Sequence, residues 1–409
     1  MFIVVVLSLL LLLDLFWAFG VCWLLRRSVL RQRWRLITLT FVALQVLGLC
    51  VMVSMRLGAA QPANLGLKAE ISAVFIWHLL LLPLGVSLLW LGLGGWSLFQ
   101  LGARLRRPLQ RRGMQASSTA ESIPRREFLG ASLALVPPLF TMASTGVAIT
   151  QLRNFRRNEF TLELPHLPPA LDGLTIAHLS DLHVGPFTSG RVLDDVVQAT
   201  NDLGADVIVF TGDLINTSLS DLPEAIRLLH RLKATHGLFL IEGNHDLIDD
   251  GEEFVRRIRA EGINLLLNEA ATIPVAGAAL QLLGLRWGSP QRTKSRAHEK
   301  GDEAIAASLE QLLVSRDPNA FAVLLAHHPH AFDAAAAAGI PLTLAGHTHG
   351  GQLMANNEVG FGPVMFRYWS GLYTRGQNHL IVSNGVGNWF PLRVQAPAEI
   401  VHITLKRRS

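Results

Sequence analysis

Three stretches near the start of the chain are each long enough to cross a bilayer, roughly 20 residues, and almost free of charge, which a soluble core does not need. Met1–Leu25 carries one charged side chain, Asp14, and Leu36–Met55 carries none. Ile71–Leu101 is broken only by Pro83, several glycines and His78. A fourth, weaker apolar run covers Phe128–Thr150. The spacing predicts transmembrane helices at the first three. It also predicts a fourth span or signal-anchor at 128–150.

Charge divides along the same boundary. Of 36 Lys and Arg and 31 Asp and Glu, residues 1–150 hold 14 and 4, a net of +10, whereas the remainder is −5 and holds 14 of the 15 histidines. The basic excess therefore sits beside apolar runs and is no nucleic-acid footprint; the acidic remainder has no basic track for a phosphate backbone. Arg26, Arg27, Arg31, Arg33 and Arg35 fill one loop. Arg104, Arg106, Arg107, Arg111, Arg112, Arg125 and Arg126 fill another, while 56–70 has only Arg56 and Lys68 against Glu70. By the positive-inside rule the two Arg-rich loops are cytoplasmic, and a fourth crossing puts everything after it outside the cytoplasm. Pro124-Arg125-Arg126-Glu127-Phe128-Leu129-Gly130 resembles a bacterial twin-arginine export signal, although it is internal; read as a plain signal-anchor it gives the same topology. The expected organisation is a membrane domain at 1–112, a cytoplasmic linker at 113–127, the fourth span at 128–150 and a catalytic domain at 151–409. Cys22 and Cys50 both fall in spans, so no disulfide is expected. Asp14 and His78, each without an evident partner in sequence, are expected to pack or hydrogen-bond within the bundle.

From residue 174 the pattern changes to short apolar runs alternating with amphipathic stretches, the signature of a layered α/β domain. Strands are expected at 174–179, 206–211, 237–241, 263–267, 280–287, 321–325, 341–345, 380–383 and 400–405. Helices are expected at 189–203, 221–234, 250–260, 302–314 and 330–338. Residues 288–300 read as a polar loop.

Five strand ends deliver chemistry. They are followed by Ser180-Asp181-Leu182-His183, Thr211-Gly212-Asp213, Glu242-Gly243-Asn244-His245-Asp246, His327-His328-Pro329-His330 and Gly346-His347-Thr348-His349-Gly350. α/β folds place their sites at such an edge. Asp-x-His and His-x-His each put two donor side chains on one side of an extended segment. Histidines with carboxylates and an amide suit Mn, Fe or Zn. Seven candidate ligands exceed one mononuclear site, whereas two ions sharing a carboxylate would use them all, a recurring device for phosphoester hydrolysis. His245, surplus to ligation and followed by Asp246, is a candidate general acid for the leaving oxygen.

The ordered series D-x-H, G-D, G-N-H-D, H-x-P and G-H-x-H resembles the calcineurin-like metallophosphoesterase superfamily. The resemblance implies a domain of two mixed β-sheets packed face to face and flanked by helices. It implies that Asp181, His183 and His349 bind one divalent metal and Asn244, His327 and His347 a second, with Asp213 bridging them. It makes His245 the catalytic acid, acting with a metal-bridging hydroxide, and Asp246 its orienting partner. Gly346-His347-Thr348-His349-Gly350-Gly351-Gln352, with Ser383-Asn384-Gly385-Val386-Gly387 and Pro391-Leu392-Arg393, is similar to membrane-associated bacterial phosphodiesterases of the twin-arginine-signal type.

The function expected is hydrolysis of phosphodiester or pyrophosphate bonds by two divalent ions, manganese first and iron or zinc as alternatives. The substrate expected is an envelope lipid or lipid-linked molecule, at the outer face of a bacterial plasma membrane. A phosphomonoesterase on soluble extracytoplasmic substrates, or a metal-binding sensor without turnover, stays open as an alternative. His178 is expected in the core, and His328 and His330 near the site. Arg367, Arg375 and Arg393 are expected to grip a phosphate or to form surface salt bridges.

Overall fold

The computed structural model describes residues 2–58, 65–105, 125–287 and 302–408. Residues 113–124 of the linker expected at 113–127 and the polar loop at 288–300 lie outside the described residues, while residues 125–127 of that linker are helical. The chain divides into two compact units, Met1–Ile149 and Thr150–Ser409.

The first unit is helical. It contains α1 (Phe2–Leu24), α2 (Arg31–Gly58), α3 (Leu65–Phe75), α4 (Leu82–Leu105) and most of α5 (Arg125–Gln151). Four stretches are long and apolar enough to cross a membrane: Val5–Leu24, Arg31–Val53, Lys68–Gly102 and Glu127–Gln151. A π-helical turn, Ile76–Leu81, joins α3 to α4 and directs Trp77 and His78 into the bundle. There Asp14, 1% exposed, accepts hydrogen bonds from Trp77 Nε1 at 2.9 Å and meets His78 Nε2 at 3.1 Å. His78 Nδ1 faces the Val74 carbonyl at 3.0 Å, so that nitrogen carries a proton. The hydrogen-bonding role expected for both residues is therefore met by each other, brought together by a π turn that the sequence pattern does not reveal.

The second unit contains twelve strands in two mixed six-stranded sheets. The strands are β1 (Phe155–Leu164), β2 (Thr175–Leu179), β3 (Val207–Thr211), β4 (Leu238–Ile241), β5 (Asn264–Leu265), β6 (Glu269–Val275), β7 (Ala278–Gly284), β8 (Phe321–Leu325), β9 (Leu342–Ala345), β10 (Gly371–Arg375), β11 (Asn378–Val382) and β12 (Ala398–Arg407). One sheet runs β1-β12-β2-β3-β4-β5 and the other β10-β11-β9-β8-β7-β6. The helices are α6 (Arg191–Asn201), α7 (Leu222–Leu229), α8 (Gly251–Ala260), α9 (Asp302–Leu313), α10 (Ala331–Ala337) and the short α11 (Phe361–Met365).

The strand side chains alternate between two apolar layers. Ile176, Val207, Val209 and Ile241 of one sheet meet Leu282, Val323, Leu325 and Leu344 of the other. Their neighbours Ala177, Leu179, Ile208 and Phe210 turn outward onto Val196 of α6, Ala225 of α7 and Phe254 of α8. Strands covered on both faces read as unbroken apolar runs, which is why they are legible in sequence. β1, β6 and β10 were not anticipated, and all three lie at sheet edges. There one flank meets solvent and the apolar run disappears: β1 reads FRRNEFTLEL. α8 starts where Asp250 accepts from the N–H groups of Glu252 and Glu253, both at 3.0 Å, and ends near Arg257 and Arg259.

Candidate metal centre

Parallel pairing of β2, β3 and β4, and of β8 and β9, carries their C-terminal ends to one edge. The ligating atoms of Asp181, His183 and His349 lie within 4.8 Å of one another, as do those of Asp213, His327 and His347. A third group, His183, Asp213 and His245, meets the same criterion and overlaps the first two through shared residues. Asp181, His183, Asp213, His327 and His349 are all buried.

Asn244 follows β4, and the backbone N–H of its neighbour His245 donates to Asp213 Oδ1 at 2.8 Å. The Asn244 side-chain oxygen is buried without a hydrogen-bond partner. A buried amide oxygen in that state is what a cation would satisfy, so the donor set fits divalent metal.

Backbone conformation marks the site independently. Nine non-glycine residues have φ in the left-handed region, and five of them are Asp181 (53°), His183 (49°), Asp213 (57°), His347 (72°) and His349 (49°). Asp and His tolerate this region better than most residues, yet each such position carries strain of about 1–3 kcal/mol that the surrounding structure must hold. Gly212, at φ 90°, has its own reason: a Cβ there would lie 2.7 Å from both His327 Nδ1 and the Gly243 nitrogen.

The electrostatics follow from burial and mutual pairing. Burial raises the Asp181 pKa to about 6, with His327 and the hydroxyl of Ser180 pulling against it and Asp213 adding to it. Burial also opposes ionisation of Asp213, but the attraction of His327 and His245 prevails and lowers its pKa. His327 Nε2 stands 3.2 Å from Asp213 Oδ2. Despite the burial penalty, Asp213 lifts the His327 pKa to about 9. Burial drives His183 and His349 well below the ordinary histidine value, and the Arg393 cation adds to this.

Three details differ from the sequence reading. Asp246 is not seen holding the His245 ring. Its Oδ2 accepts the backbone N–H groups of Asp213 at 3.0 Å and Gly243 at 2.9 Å, and its Oδ1 that of Ile215 at 3.1 Å. The partner of His245 Nδ1 is the Asn216 carbonyl, 2.5 Å away. Arg393 is neither a surface residue nor open to a phosphate. It is 4% exposed, and its guanidinium donates to Asn388 Oδ1 and to the carbonyls of Asn384 and Gly387, at 2.9, 2.6 and 2.5 Å. It also donates to His349 Nδ1 at 3.0 Å. His349 Nε2, on the other side of the ring, faces Asp181 Oδ1 at 3.3 Å. Arg367 and Arg375 do form exposed ion pairs, with Asp302 and Asp333. His178 is a core residue, bonded to Thr211 Oγ1 at 2.8 Å. His328 packs 4.9 Å from His347 between ring centroids.

Sequence reasoning also missed the aromatic walls. Trp287 and Phe366 stand 5.1 and 5.7 Å from His347, and Trp389 stands 6.2 Å from His245. Only their positions just past β7 and just past the 383–387 block hint at this.

The family model for calcineurin-like phosphoesterases matches residues 174–351, which include every residue of the cluster. The metallophosphoesterase YkuE of Bacillus subtilis is 30% identical over 263 residues, covering 61% of this chain and 84% of its own length. The chain belongs to the calcineurin-like phosphoesterase family. Members of that family are metal-dependent, and the His and Asp clusters described above are able to bind metal. Two vertebrate proteins named transmembrane protein with metallophosphoesterase domain are also 30% identical. The zebrafish (Danio rerio) protein aligns over 60% of this chain and 56% of its own length. The bovine (Bos taurus) protein aligns over 67% and 63%. The chain thus spans roughly three-fifths of the length of those two calcineurin-like relatives.

Proposed function

We propose that the chain is a membrane-anchored, two-metal phosphodiesterase or pyrophosphatase acting outside the cytoplasm on an envelope lipid or lipid-linked substrate. The observation that carries the two-metal reading is the overlap of three donor groups through His183 and Asp213, beside the unsatisfied Asn244 oxygen. In this reading Asp181, His183 and His349 hold one ion, Asn244, His327 and His347 the other, and Asp213 both. When bound, the ions, with manganese the first expectation, would polarise the phosphate oxygens and acidify the attacking water.

The chain's own residues do the rest. The Asn216 carbonyl keeps the His245 Nδ1 proton in place, which leaves Nε2 to give a proton to the leaving oxygen. Asp246 ties the Asp213 and Gly243 backbones together, so the segments carrying Asp213, Asn244 and His245 keep one spacing. Arg393 sets the plane of His349. Trp287, Phe366 and Trp389 narrow the approach and exclude water. The arginine-rich segments 26–35 and 102–127, with the Arg125-Arg126 pair heading α5, support an extracytoplasmic catalytic unit and an export signal or signal-anchor at 125–150.

The test is metal content and turnover of the detergent-solubilised full chain. Substrates are an aryl phosphodiester, an aryl phosphomonoester and a lipid-linked pyrophosphate, with Asp213→Asn as control. Two ions per chain, with diester or pyrophosphate turnover lost in the variant, is the expected result. Turnover confined to the monoester would favour a phosphomonoesterase instead. A periplasm-active reporter fused after Ser409 checks the topology.

A further inference from the structure

Among its described residues the α/β unit has eight exposed large hydrophobic ones, and six of them fall within 359–394. Val364 is 82% exposed, Met365 62%, Val359 57%, Phe361 48% and Val394 41%. Over residues 353–366 the only charged side chain is Glu358. Exposed apolar side chains concentrated in one short segment are what a docking surface presents.

Its position relative to the metal centre is defined by short connections. Val394 bridges to Leu353, and its carbonyl accepts from Met354 N at 3.0 Å. The Met354 sulfur accepts from the Gly362 N–H at 3.3 Å, which pins α11 to that bridge. Phe366, immediately after α11, packs against His347. The apolar surface is therefore the rim of the site.

The same rim lies where the chain enters the unit. α5 ends at Gln151 and β1 begins at Phe155, so three residues separate a helix apolar enough to cross a membrane from the first strand. Within the α/β unit the Arg393 N–H donates to Gln151 Oε1 at 3.0 Å, one residue before Val394. Phe155 pairs with Ala398, and the next residue, Glu399, donates its N–H to the Gly385 carbonyl at 3.0 Å. Entry point, rim and metal centre share one edge. The chain that enters at that edge follows directly on α5, a helix apolar enough to cross a membrane.

The geometry points to the rim of α11, with Val359, Phe361, Val364, Met365 and Val394, as a membrane-docking surface that seats in the lipid interface and opens the metal centre toward lipid headgroups. The substrate class that follows is a phosphoester whose apolar part stays in the bilayer while its phosphate reaches the site. That class rests on the hydrolase reading proposed above; the docking itself does not. Interfacial anchoring by a short apolar rim needs no deep insertion, because the span already supplies the attachment.

The test uses the full chain with Cys22 and Cys50 replaced by serine, in vesicles of phosphatidylethanolamine and phosphatidylglycerol. A bimane label is placed at Val364→Cys, or at Val314→Cys as control. Val314 is also exposed, at 88%, but follows α9 at the end of the sheet where β8 begins. Lipid carrying a nitroxide near the glycerol backbone is expected to quench the label at 364 and to leave that at 314 bright. Equal quenching at both positions, or a label at 364 that is buried yet not quenched by lipid, overturns the proposal. The second of these outcomes would mean a protein covers the face. Neither depends on hydrolysis. Where turnover is measurable, Val364→Glu with Met365→Glu is expected to lower the ratio of vesicle-borne to soluble phosphodiester turnover by at least about tenfold. An unchanged ratio counts against the proposal.

Discussion

Asp246 offers the sharpest separation between a catalytic and a structural carboxylate. It is 1% exposed, and its two oxygens accept three backbone N–H groups, from Asp213 and Gly243 on Oδ2 and from Ile215 on Oδ1. Burial and the neighbouring Asp213 raise its pKa, while the N–H groups of Gly243 and Ile215 pull it down. Replacing it with alanine strands three buried donors, each at a cost of about 1–3 kcal/mol, so a loss of about 3–9 kcal/mol is expected. Asparagine keeps an oxygen for Asp213 and Gly243 but turns an amide N–H toward the Ile215 N–H, so about 2–3 kcal/mol is expected. At about 2–4 °C per kcal/mol for a domain of this size, the asparagine variant should melt about 4–12 °C lower and the alanine variant at least about twice as far. The assay is circular dichroism melting of the solubilised chain in chelator, which keeps metal binding out of the comparison. An alanine variant as stable as the parent, or asparagine and alanine variants that melt together, would refute the clamp. If turnover then fell without loss of stability, Asp246 would belong with His245 after all.

Three further outcomes are expected. Arg393→Lys, which cannot reproduce a five-donor fork, should lower stability by about 2–4 kcal/mol and reduce bound metal; full metal occupancy in that variant would show that the guanidinium does not position His349. Asp14→Asn should be tolerated within about 1 kcal/mol, since its oxygen still takes the Trp77 N–H and its amide can donate to His78, whereas Asp14→Leu strands both partners; equal thermal stability of the two variants would rule out a stabilising role for these buried hydrogen bonds. Burial, with Glu224 adding to it, raises the Asp221 pKa to about 7. The folded state therefore holds a proton that the unfolded state releases near pH 4, so stability falls as pH rises from about 4 to 7. Asp221→Asn should flatten that part of the urea-unfolding profile, and an unchanged slope would assign it to another group.

What sequence could show was decided by covering. β2, β3, β4, β8 and β9 are buried on both faces, so each reads as an apolar run with its polar chemistry exposed just beyond the end. The site blocks were legible because they follow those runs. β1, β6 and β10 have one unpaired edge each, and no comparable run announces them. Contacts that join distant positions were illegible for another reason. Asp14 and His78 are 64 residues apart, and Arg393 reaches His349 from 44 residues away. Periodicity carries no information about such pairs. The role of Asp246 was misread because adjacency to His245 suggested contact, whereas the 3-10 turn at His245–Leu247 directs its carboxylate back onto the Asp213 and Gly243 backbone.

Five donor residues of the cluster sit in left-handed backbone. That conformation reverses the direction in which the chain leaves the strand and turns the side chain inward. Copying the seven residue types onto another sheet at matching separations would leave those side chains aimed elsewhere. A transplant of this centre would have to carry the five turns with it, along with Gly212 and the Asp246 clamp that hold two of the segments together.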